Sequence, residues 1–317
     1  MNKNFEIQSS YLSNINSIKY SNDGKRLATC NNDGKIYIFS IEESNNQNQI
    51  NKNPDCIIFE NGHSNSIWDI SFSNSELGNF LASCGNDNKL IIWYENSKNN
   101  FQNIYTYNHQ NSINSCEFSP KEYGIILLCC SSDSSISLHE LKKDNNSFFS
   151  YQINNAHEKG VNCINWGPSI KNINFDEDDN NINNNNNLLN DNLMPLRFVS
   201  CGVDGKIILW ISKNNNIENF NKEIIFNYEH AIKCISWLNY IGYANETIAF
   251  GTDDGFVKIL KFKIGKWICS SSFNCQFSIL KIFWSSNGSF LSVSNGKFNL
   301  FLQENMDEKL EEVNLKK

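Results

Sequence analysis

HSNSIWDISFSNSELGNFLASCGNDNKLIIW, residues 63–93, decides the fold of this 317-residue chain. Two runs that alternate apolar and polar residues, IWDISF and FLASC, come first. A polar turn centred on Asp87 follows, then a third run ending at Trp93. Alternation over about four to eight residues is the period of a half-buried strand, and Asn-Asp-Asn is turn chemistry. One such unit is a small antiparallel sheet that cannot cover both of its own faces. The chain meets that difficulty by repetition.

Asp87 has counterparts at Asp33, Asp133, Asp204 and Asp254, with Asn295 in a sixth copy. Six positions after each stand Phe39, Trp93, His139, Trp210, Leu260 and Phe301; four before stand Thr29, Ser83, Cys129, Ser200, Phe250 and Leu291. Upstream lie His63, His109, His157 and His230. The His-to-Asp gap is 24 residues in three copies and 47 in the fourth, where an Asn-rich insertion intervenes. A period of roughly 40 to 50 residues with this start and end is the signature of four-stranded propeller blades.

The spacing has a physical reason. An Asp in the turn between second and third strands can accept from turn amides and from the His that precedes the first strand. That imidazole can bond a second-strand hydroxyl, which can bond an indole N–H on the third strand. A buried network of this kind is favourable only when every member is paired. The full set is expected in copies two (His63, Ser83, Asp87, Trp93) and four (His157, Ser200, Asp204, Trp210). Copy one lacks the His, copies three and five are partial, and copy six keeps almost none of it. Apolar replacements are expected where partners are lost.

Six equivalent repeats favour one domain over two. A net charge of −7 and a pI near 5.3 argue against a nucleic-acid surface, which is typically basic. No apolar signal core opens the sequence and no window approaches 18 uninterrupted apolar residues, so a cytoplasmic protein without direct membrane insertion is expected. Of the 11 cysteines, Cys30, Cys84, Cys130 and Cys201 fall three residues before the turn position, and Cys116, Cys163 and Cys234 in first-strand runs. Repeat-locked positions of this kind mark small buried hydrophobes, and no Cys-x-x-C appears.

Read in order, residues 1–10 offer a short N-terminal strand at the open edge, and residues 11–304 the six blades. The acidic, Asn-rich segment 171–192 in blade four has no apolar periodicity and is expected to be disordered. Residues 305–317 are either a tail or a weak outer strand.

Several stretches go beyond a generic repeat: RLATC (26–30), LGNFLASC and KLIIW around Asp87 (77–93), YGIILLCCSSDSSISL (123–138) and INNAH (153–157). With NWGP, an insertion and then RFVSCG (165–202), they resemble the Sec-thirteen family of WD-repeat proteins. The resemblance implies an all-β, six-bladed WD-repeat β-propeller, open and completed in trans by a partner blade. It further implies a non-enzymatic scaffold in the COPII vesicle coat at the ER membrane and in the nuclear pore Y-complex. The partners so implied are the large outer-coat subunit, Sec-thirty-one in type, and a Y-complex nucleoporin. An open ring would expose unpaired strand edges unless a partner covered them. A six-bladed ring also closes by itself, so the residues alone leave both forms standing.

No catalytic constellation emerges: the five histidines are repeat-locked, and no H-x-x-x-H, G-x-S-x-G or phosphate loop appears. No cofactor or metal is expected. The alternative to the scaffold is a closed-propeller adaptor for peptide or protein recognition, such as a ligase substrate receptor. It would show a basic or aromatic pocket at repeat-equivalent positions, and none is legible. For the scaffold, Phe5 and Ile7 are expected to pair with the inserted blade, and Ile15, Ile18, Ile279 and Phe283 to pack against it.

Overall fold

The computed structural model describes residues 14–41, 56–142, 147–170, 194–239, 245–285, 287–296, 299–304 and 310–313. They divide into two compact units, residues 1–152 and 153–317.

In the first unit, blade one comprises β1 (Ile15–Tyr20), β2 (Arg26–Asn31), β3 (Ile36–Ser40) and β4 (Cys56–Phe59). Blade two comprises β5 (Ile67–Phe72), β6 (Phe80–Gly85), β7 (Lys89–Ser97) and β8 (Asn100–Asn108). Blade three comprises β9 (Ile113–Phe118), β10 (Ile126–Ser131), β11 (Ile136–Lys142) and β12 (Ser147–Ile153).

In the second unit, blade four comprises β13 (Val161–Trp166), β14 (Arg197–Gly202), β15 (Lys206–Ser212) and β16 (Phe220–Asn227). Blade five comprises β17 (Ile232–Trp237), β18 (Thr247–Thr252), β19 (Phe256–Lys263) and β20 (Lys266–Asn274). Blade six comprises β21 (Lys281–Trp284), β22 (Phe290–Ser294), β23 (Asn299–Glu304) and β24 (Leu310–Val313).

Each of these six sheets takes its four strands in sequence order, and every pairing is antiparallel. The fourth position of blade six is therefore filled by Leu310–Val313, from the far end of the chain. The expected N-terminal strand, with Phe5 and Ile7, and the insertion 171–192 lie outside the described residues.

Local chemistry explains the regularity. The residue after each turn Asp or Asn has positive φ: Gly34, Asn88, Ser134, Gly205, Gly255 and Gly296, between 65° and 89°. Glycine and asparagine adopt that conformation at little steric cost. The first strands of blades one to five each carry a register shift two residues in, as between Ile67 and Asp69. Such bulges raise the local twist.

The second strands of blades two to five are buried along their whole length, so these sheets are covered on both faces. Between blades one and two the core packs Ile36 and Ile38 against Ile70, Leu81 and Ile91. Between two and three it packs Ala82 and Ile92 against Cys116 and Phe118. The second unit repeats the scheme, with Val199 and Leu209 against Ile235 and Trp237, and Ala249 and Ile259 against Ile282 and Leu291. Cys30, Cys84, Cys130 and Cys201 lie fully buried in these layers.

Candidate functional site

In blade two, His63 Nδ1 lies 2.9 Å from Asp87 Oδ1 and its Nε2 2.8 Å from Ser83 Oγ, and the Trp93 indole N–H donates to the same Oγ at 2.9 Å. Asp87 also accepts the backbone N–H groups of Ser64 and Lys89. Blade four has the same arrangement: His157 to Asp204 at 2.9 Å, His157 to Ser200 at 2.8 Å, and Trp210 to Ser200 at 2.9 Å. Burial alone would raise the carboxyls of Asp87 and Asp204. The bond from the histidine, its charge and the turn amides outweigh it and hold both below the ordinary carboxylate range. Every functional group of these networks is engaged with another, which suits a fixed scaffold.

The remaining blades rewire the scheme. In blade three Cys129 holds the second-strand position, yet the hydroxyl comes from Ser137, its cross-strand partner on β11. Ser137 Oγ lies 2.8 Å from His109 Nε2 and 2.9 Å from His139 Nε2. His139 Nδ1 in turn meets the Tyr105 hydroxyl at 3.1 Å, and His109 Nδ1 meets Asp133 at 3.0 Å. The network is complete with different members, a point that sequence reading missed; the spacing of Ser137 and His139 along one strand face was the available signal. Burial depresses both imidazoles, His139 to about 3.

In blade five His230 is half-exposed, 3.8 Å from Asp253, and Asp254 instead accepts from the Tyr228 hydroxyl at 2.9 Å and from Thr252. Burial, then the bond to Asp254 and its charge, push the Tyr228 phenol up to about 12. Blade one does likewise, with Tyr37 donating to Asp33 at 2.7 Å. The buried Thr29 hydroxyl has no partner among the described residues.

Contacts between neighbouring blades also follow a rule. The backbone N–H of the aromatic that ends the first strand of blades three, five and six donates to a polar side chain on the preceding blade: Phe118 to Ser71 (3.0 Å), Trp237 to Asn165, and Trp284 to Ser236 (3.3 Å). Deeper in, Asp69 of β5 accepts from Ser17 of β1 and Ser115 of β9, each at 2.8 Å, and ties three first strands together.

Blade one departs from this pattern. Tyr20 stands opposite Leu27 as Phe118 stands opposite Leu127, so its ring and N–H point away from blade two. Tyr20 is 63% exposed and Ile18, on the same face, 48%; Ile15 is exposed as well. On blade six, Phe283 occupies the position that holds Ser71, Asn165 or Ser236 elsewhere, and it is 40% exposed. Phe290 on the adjoining strand is also exposed. Ile279 is different: it is fully buried against Cys234, Ala249 and Val257 and has no surface to offer a partner. Tyr20 and Phe290 were not singled out in the sequence, although Tyr20 continues the alternation of Ile18.

These blades, turns and His–Ser–Asp–Trp networks define a WD-repeat β-propeller protein. The family described as WD domain, G-beta repeat, matches residues 5–40, 54–94 and 101–140. Among solved structures, the RRP9 WD40 repeats share the fold with a TM-score of 0.68 and 16% identity, over 97% of this chain and 81% of that one. Protein transport protein SEC13 from Debaryomyces hansenii is 34% identical over 86% of each chain, and its namesake from Lodderomyces elongisporus is 34% identical over 86% of this chain and 85% of its own. A SEC13 homolog from Drosophila melanogaster is 27% identical over 88% and 74%. The chain belongs to the SEC13 family.

Proposed function

We propose that this chain is a non-enzymatic scaffold of protein transport, a subunit of the COPII coat that carries cargo from ER to Golgi, with a second place in the nuclear pore Y-complex. It acts by holding a solenoid partner that donates a seventh blade. The partner is the large outer-coat subunit in one assembly and a Y-complex nucleoporin in the other. The reading rests on one observation: the first-strand face of blade one carries Ile18 and Tyr20 uncovered, in the register where other blades bury an aromatic against a neighbour.

The physical logic is strand addition. A donated blade would cover Ile18 and Tyr20, accept the Tyr20 N–H as Ser71 accepts that of Phe118, and lay its own first strand over Phe283. The relatives' name, protein transport protein, agrees with this role. No reaction is assigned, because the buried histidines are engaged in bonds that fix blades.

Co-expression with the large coat subunit's fragment carrying its blade insertion, followed by size-exclusion chromatography, tests the proposal. A stable one-to-one complex that is lost on Tyr20→Asp or Ile18→Asp is the expected result. A well-behaved lone monomer that ignores the fragment overturns it in favour of a closed-ring adaptor.

A further inference from the structure

We infer that the donated blade meets blade six through amide and hydroxyl side chains, whereas this chain's own blades meet one another through aliphatic ones at the same register. The inference rests on the function proposed above and names the chemistry that the partner brings to one face. Ile282, Leu291 and Val293 pack against blade five. Phe283, Phe290, Ser292 and Ser294 alternate with them and so form the face turned away from it. Ser292 stands directly opposite Phe283 across the ladder.

The same two positions of the second strand hold Ala28 and Cys30 in blade one, Ala82 and Cys84 in blade two, and Val199 and Cys201 in blade four, all fully buried. Blades three and five carry no hydroxyl there either. Onto these small residues the following blade lays aliphatic side chains: Ala28 and Cys30 cluster with Ile70 and Leu81, and Val199 and Cys201 with Ile235 and Ile248. Ser292 and Ser294 break the rule. Both are half-buried, and among the described residues neither hydroxyl has a hydrogen-bond partner.

A leucine or isoleucine pressed onto these serines would take two hydroxyls out of water and give them nothing in return, the unfavourable case for a buried polar group. Yet the face is not made to stay in water, since Phe283 is 40% exposed and Phe290 42%. Aromatic rings beside hydrogen-bonding groups are the composition of an exchangeable protein interface rather than of a permanent core. The occupant that answers both is a blade with apolar side chains against the rings and Asn, Gln, Ser or Thr against the serines. A charged side chain is the poorer answer, because a hydroxyl does not balance a charge under cover.

Titration of the coat-subunit fragment that carries the blade insertion into the whole chain tests this, with the parent compared against the double variant Ser292→Ala, Ser294→Ala. The double variant should bind at least about fivefold more weakly, for want of two hydrogen bonds. Alone it should melt with the parent, because the hydroxyls it lacks were bonded only to water, and this separates lost binding from lost folding. Affinity equal to the parent's, or tighter, overturns the inference; if Tyr20→Asp still abolishes binding, the proposed function stands without it. A parent that ignores the fragment overturns both. A dimer of the lone chain that Phe283→Asp abolishes assigns the face to a second copy and overturns the inference as well.

Discussion

Ser83, Ser200 and Ser137 are each the meeting point of two buried ring nitrogens, one from the histidine before the first strand and one from a ring on the third strand. Removing the hydroxyl leaves both without their partner, at about 1–3 kcal/mol for each orphaned group. Ser83→Ala, Ser200→Ala and Ser137→Ala should therefore each cost about 2–4 kcal/mol in urea unfolding, and Cys129→Ala about 1 kcal/mol. If blade three relied on its second-strand residue as blades two and four do, the last two would exchange rank.

His139 adds a pH dependence. In the unfolded chain it takes up a proton as pH falls through about 6.5, whereas in the fold it stays neutral to about 3. Over that window the unfolded state binds more protons, so stability falls with pH by up to about 1.4 kcal/mol per unit. His139→Gln should flatten the dependence of the urea midpoint between pH 6 and about 4.5. Asp87, Asp133 and Asp204 act lower: held below the ordinary carboxylate value, they lose their contribution only as pH falls beneath about 3.8.

At the scale of elements, ion pairs staple one blade to the next at matching places. Arg26, opening β2, makes two bonds to Glu95 on β7 at 2.7 and 2.8 Å, and Arg197, opening β14, reaches Glu246 beside β18 at 2.8 Å while lying over Trp237. The Glu95 side chain is almost wholly buried, so losing the guanidinium strands a charge. Arg26→Ala should destabilise the fold by about 3 kcal/mol, and the double change with Glu95→Gln by less. A double-mutant cycle in urea would show no coupling if the two side chains acted separately.

Elements were also where the sequence was most legible. Turn residues, strand alternation and the His-to-Asp spacing place all six sheets, because each is a local signal repeated several times. Ser137, Tyr228 and the exposed His230 were not legible, since each depends on a cross-strand neighbour or on which of two side chains wins one carboxylate. Ile279 shows the same limit: its apolar character predicts burial or docking equally, and only its packing decides.

For the molecule as a whole, the uncovered apolar face of blade one matters most. Large unpaired apolar faces promote association when the partner is missing. Without the proposed partner the chain should self-associate with rising concentration in light scattering, and Tyr20→Asp should suppress this. Equal scattering from both proteins would move the sticky surface elsewhere. Whether a ring closes leaves no mark in composition or periodicity, which describe single blades and are silent about the count that closes a circle.

The order of strands within the sheets bears on synthesis. Every described sheet is built from four consecutive strands, so no blade waits for a segment made much later. Translated at about 5 to 20 residues per second, a blade leaves the ribosome every few seconds and can complete its hydrogen bonding at once. The blade-one face emerges before the other five blades and is uncovered while they are made. A nascent chain of this kind has most to gain from meeting its partner, or a chaperone, before its own last blade is made.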